Sequence, residues 1–67
     1  MTRTYVVHKI CDRSVFYTGQ PVQFEAYGIL EPGEIVIATG AMHEAYIEIL
    51  TSKGLVWVLY NHHMVKL

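Results

Sequence analysis

The sequence predicts a small all-β fold on three observations: apolar residues recur at every second position, β-branched and aromatic side chains dominate those runs, and turns containing Gly or Pro interrupt them. The interruptions fall at Thr18-Gly19-Gln20-Pro21, Glu31-Pro32-Gly33, Thr39-Gly40 and Lys53-Gly54. Strands of about five to seven residues remain between them, and short strands with frequent turns imply a barrel.

Thr4 to Ile10 reads as the first strand, carried by Tyr5, Val6, Val7 and Ile10. Val22, Phe24 and Ala26 alternate with Gln23, Glu25 and Tyr27, which predicts one buried and one wetter face. Within Glu34 to Thr39, the unbroken run Ile35-Val36-Ile37-Ala38 predicts a strand buried on both sides. From His43 to Thr51, Ala45, Ile47 and Ile49 share one face, and Tyr46, Glu48 and Leu50 the other. Helix formers at Ala41 to Ala45 compete with that reading. Gly40 and Gly54 bracket only about one strand plus its turn, which favours strand. Ser52-Lys53-Gly54 then forms a hairpin connection in which Gly54 takes the positive φ, and Leu55 to Leu59 returns antiparallel. If Val56 and Val58 face inward, Trp57 faces outward, and by the same alternation Tyr27 and Tyr46 lie opposite the Phe24 and Ile47 faces.

A chain of 67 residues makes one domain with a small core. Hydrophobic residues are 52% of it and charged residues 16%, against roughly 25% charged in an average domain. Such a domain cannot enclose all of its apolar side chains, so a contact patch is expected on its surface. The net charge of −1 gives no field to hold phosphates, and Arg3, Lys9, Arg13, Lys53 and Lys66 are scattered as solvating charges. Nucleic acid is thereby disfavoured. The lone Cys11 cannot form an internal disulfide, which favours an intracellular site. With no signal-peptide pattern and no run of about 18 apolar residues, the expected location is cytoplasmic with no membrane association.

No chemistry stands out. His8, His43, His62 and His63, with Cys11, are the only metal candidates. Adjacent His62 and His63 diverge on a strand or a 3₁₀ turn, and His8 and Cys11 point to opposite faces, so no ligand set is complete and no metal or cofactor is expected. Cys11, Ser14 and Ser52 lack a nucleophile signature, and Glu25, Glu31, Glu34, Glu44 and Glu48 flank turns or alternate with core residues, so no enzyme activity is expected.

Leu30-Glu31-Pro32-Gly33-Glu34-Ile35-Val36 resembles the diverging turn and following strand of SH3 domains. Ala45 to Leu50, the Lys53-Gly54 turn, Trp57-Val58-Leu59-Tyr60-Asn61 and the closing Val65-Lys66-Leu67 are similar to the rest of that family over roughly the C-terminal half. The resemblance implies an SH3-like barrel of about five antiparallel strands, a short 3₁₀ turn before the last strand and a long irregular hairpin between Cys11 and Leu30. It does not extend to the proline-peptide groove. Thr4-Tyr5-Val6-Val7-His8 replaces the usual opening motif, the groove tryptophan falls near Ala45 or Tyr46, Leu59 stands for a groove proline, and His62 stands near a groove tyrosine.

Tyr and Trp are the residues most enriched in binding hot spots, which places a protein-binding face at Tyr17, Tyr46, Trp57 and Tyr60, with His62 beside them. The expected function is that of a non-enzymatic protein–protein interaction module. Its size alone suggests an accessory or inhibitory factor of the kind phages and mobile elements encode. The alternatives are a nucleic-acid-associated barrel with a basic face built from Arg3, Lys9, Arg13 and Lys53, and an obligate homo-oligomer whose strands continue across subunits.

Overall fold

The computed structural model describes residues 5–60 and 63–67. Within them the chain forms β1 (Val6–Ile10), β2 (Ser14–Gln20), β3 (Gln23–Leu30), β4 (Ile35–His43), β5 (Tyr46–Thr51), β6 (Gly54–Leu59) and β7 (Met64–Lys66). All neighbours pair antiparallel in one sheet of order β3-β2-β6-β5-β4-β1-β7. The all-β reading holds, and among the described residues no helix is long and apolar enough to cross a membrane.

Two details of the expected barrel are corrected. The described residues contain seven strands rather than about five, because the long irregular hairpin expected between Cys11 and Leu30 consists of two paired strands, β2 and β3, with one shift of register. The sheet is also open: β3 and β7 end it without pairing to each other. The 3₁₀ turn expected before the last strand falls largely on residues 61–62, outside the described residues.

Every strand contributes to one core. Ile10, Leu30, Val36, Ile49, Val56 and Val58 are fully buried, with Phe16, Ile47 and Met64 packed beside them. A single sheet can join Leu30 on one edge strand to Met64 on the other in one cluster only by curling around its inner face. Each of these side chains contributes about 1.5–3 kcal/mol by leaving water. Among the described residues no second layer packs on the other face of the same strands, which overturns the expectation for Ile35 to Ala38. Val36 is buried, whereas Ile35 is 54% exposed, because the sheet is one layer thick there. That apolar run is continuous in sequence but alternates in space.

Three turns are set by local chemistry. In Glu31-Pro32-Gly33-Glu34, Pro32 fixes its own φ, Gly33 takes φ +95°, and Glu34 N donates to Glu31 O at 3.3 Å. Ile10 N to Glu34 O (2.8 Å) and Gly33 N to Ile10 O (2.7 Å) tie this turn to β1. Gly54 takes φ +104° after Ser52-Lys53, as expected. There the Thr51 hydroxyl donates to Gly54 O at 3.1 Å and accepts from Lys53 N at 3.0 Å. His43 to Thr51 is not one strand: Glu44-Ala45 reverses the chain between His43 and Tyr46, which pair, and Ala45 is exposed in that turn rather than on the Ile47 face.

Candidate functional site

The outward-facing side of the sheet follows from the pairing register. Tyr27 pairs with Tyr17, Tyr17 with Trp57, and Trp57 with Glu48, so these four side chains cross β3, β2, β6 and β5 on one face. Tyr46 lies two residues from Glu48 on that face, opposite Leu59. The parity expected for Trp57 is therefore correct: Val56 and Val58 are buried and Trp57, half-buried, points outward.

A β-bulge adds Phe24 to this face. After Thr18↔Ala26 the register jumps to Gly19↔Phe24, so Glu25 is the extra residue on β3, and Gly19 opposite it takes φ +101°. Phe24 and Tyr27, three residues apart, consequently share a face, contrary to the alternation expected from the sequence. The Phe24 ring stacks on Tyr17 with centroids 4.8 Å apart and planes at 19°. Tyr46 closes the group edge-on, 5.1 Å from Phe24 and 5.9 Å from Tyr17. Such ring pairs contribute about 0.5–1.5 kcal/mol each beyond their buried area.

Around this half-buried cluster the surface stays apolar. Tyr27 is 74% exposed, and Val15, Val22, Leu55 and Leu59 also reach solvent. Glu48 lies on the register line, its Oε1 accepting a 2.7 Å hydrogen bond from the buried Thr39 hydroxyl, and Glu25 lines the same concavity as Tyr17, Phe24 and Tyr27. The face is therefore mainly aromatic and aliphatic, with Glu48 and Glu25 as the carboxylates on it.

Of the residues chosen from sequence, the structure brings Tyr17, Tyr46 and Trp57 to one face. Tyr60 does not join them. It continues the inward parity of Val56 and Val58, and its ring meets His8 edge-on at 6.4 Å on the inner side of the sheet. His62 lies outside the described residues. Phe24 was missed because period-two reading assigns it to the core; only the bulge turns it outward.

Of the basic face considered from the sequence, Arg3 lies outside the described residues, and two of the other cations are engaged elsewhere. Arg13 is engaged by Glu31, with Nε to Oε1 at 3.1 Å and Nη2 to Oε2 at 3.4 Å, and Lys53 lies 6.0 Å from the centroid of the Phe16 ring. Among the described residues, no three of His, Cys, Asp and Glu are grouped to hold a metal ion. No family model, no curated protein and no solved structure matches the chain.

Proposed function

We propose that this chain is a small, non-enzymatic protein–protein interaction module that docks an uncharged apolar surface of a partner protein onto the face around Tyr17, Phe24, Tyr46 and Trp57. The observation that carries the reading is the three-ring cluster Tyr17–Phe24–Tyr46, held rigid on a face whose neighbours are exposed apolar side chains. Rigid aromatics lose little entropy on binding and so make efficient anchors. An SH3-like character belongs to the same proposal. It is supported by the long β2–β3 hairpin between the first strand and the turn at Pro32-Gly33, and by a short last strand pairing with the first. A cytoplasmic accessory or inhibitory role of the phage or mobile-element kind is consistent with the size.

The nucleic-acid alternative loses support from the Arg13–Glu31 pair, which neutralises one of the four cations it needs. Self-association is the second reading, favoured by the two unpaired edges β3 and β7.

The test takes the partner recovered with the intact chain and measures its affinity for Tyr27→Lys and Trp57→Ala beside their thermal unfolding. Tyr27 is mostly exposed, so Tyr27→Lys should keep the unfolding midpoint while binding falls by at least about ten-fold. Full affinity in both variants sinks the docking face. A sedimentation coefficient that rises with concentration and is lost in Tyr27→Lys favours self-association instead.

A further inference from the structure

We infer that a cavity on the inner side of the sheet, remote from the docking face, binds a small organic carboxylate carrying a compact apolar body. The cavity holds about 300 Å³, at the lower end of the roughly 300–1,000 Å³ of small-molecule sites. It exists because β4 and β5 separate. Ala38 pairs with Ile49 and Met42 with Ile47, so Thr39, Gly40 and Ala41 all stand opposite the single residue Glu48. Gly40 takes φ +95°, and the Thr39 hydroxyl holds the widened loop, donating to Glu48 Oε1 and accepting from Ala41 N at 3.4 Å. Bulges of this kind are over-represented beside binding sites.

The walls are apolar, from Val6, Ala38, Ala41, Met42 and Ile47, with the Tyr60 ring on one side. Two polar groups break that pattern, His8 and Lys66. His8 is only 5% exposed, and its Nδ1 lies 3.2 Å from Val6 O, which fixes the ring. Among the described residues Nε2 has no protein partner. No fully buried side-chain nitrogen or oxygen there is left unpaired, so Nε2 opens onto the cavity. Lys66 pairs directly with His8 across β1 and β7 and lines the same cavity. Among the described residues no carboxylate lines it. With Nδ1–H donated to Val6 O, the ring presents Nε2–H to the cavity as the imidazolium, and that cation beside the Lys66 ammonium over apolar walls complements a carboxylate on an aromatic or aliphatic group through charge-assisted hydrogen bonds.

The experiment titrates the intact chain with 2-naphthoate and with uncharged 2-naphthamide, following the His8 ring and Met42 methyl signals by NMR. Both signals should shift with 2-naphthoate, and the amide should bind about ten-fold more weakly. Lys66 is exposed, so Lys66→Gln should fold normally and bring the acid down to the affinity of the amide. Ala41→Leu, which fills the cavity, should abolish both. Equal affinity for acid and amide, unchanged binding in Lys66→Gln, or shifts centred on Lys9 or Lys53 instead of His8 would overturn the inference.

Discussion

At the scale of single residues, Gly28 shows how a small side chain can be an architectural requirement without any unusual φ. It pairs with Phe16 across β2 and β3, and a Cβ placed there would stand 2.3 Å from Phe16 Cζ and 2.7 Å from Cε2. The ring lies over the glycine, buried, with the Lys53 ammonium 6.0 Å from its centroid. A Gly-to-Ala change inside a strand ordinarily stabilises by roughly 0.5–1 kcal/mol. Here the added methyl must displace a packed core ring, so Gly28→Ala should instead cost about 1–3 kcal/mol. Urea unfolding of the variant checks the sign. A gain in stability would show that the ring moves freely.

At the scale of elements, two turns of the same design carry different residues. Pro32-Gly33 and Pro21-Val22 both place a proline before a residue of positive φ, but Gly33 sits at +95° without penalty while Val22 holds +58° with a β-branched side chain. Left-handed backbone costs an L-residue about 1–2 kcal/mol, part of which glycine returns as unfolded-state entropy. Val22→Gly should therefore raise stability by about 0.5–1 kcal/mol, seen as a higher thermal midpoint. A lower midpoint would mean that the exposed Val22 side chain contributes contacts that outweigh its strain.

The strands that the sequence made legible were those with an uninterrupted period of two, such as β5 and β6, where Ile47, Ile49, Val56 and Val58 point inward and Trp57 outward. What stayed hidden were register breaks. Glu25 does not change the composition of its strand, yet it turns Phe24 into the aromatic face, and Thr39-Gly40, expected as a turn between strands, is instead a break of register inside β4 that opens the inner cavity. Tyr60 is exposed, as its aromatic character suggested, but it lies one residue past β6 and its ring meets His8 rather than the three-ring cluster.

At the scale of the whole molecule, one curled layer supplies all of the packing, so stability rests on the aliphatic side chains from Ile10 to Met64 that meet inside it. Unfolding by heat should show the same midpoint with and without excess EDTA, because that core depends on no ligand. A midpoint that falls with chelator and returns with zinc would reassign the histidines. The outward surface, by contrast, is strongly apolar in a chain whose charged residues are only 16%.

The strand order also sets when the molecule can fold. β1 finds its partners in β4 and β7, and β2 pairs not only with β3 but with β6, so the first strands of the sheet to be synthesised wait for later ones. Only the β2–β3 hairpin and the later β4–β5–β6 meander are local in sequence. Closing the remaining contacts means ordering long intervening loops before any reward, which places such topologies among the slower small folders, in milliseconds to seconds. Until residues 64–66 have emerged, β1 lacks one of its two neighbours and the growing chain carries an unfinished sheet whose apolar faces are both open to whatever protein it meets first.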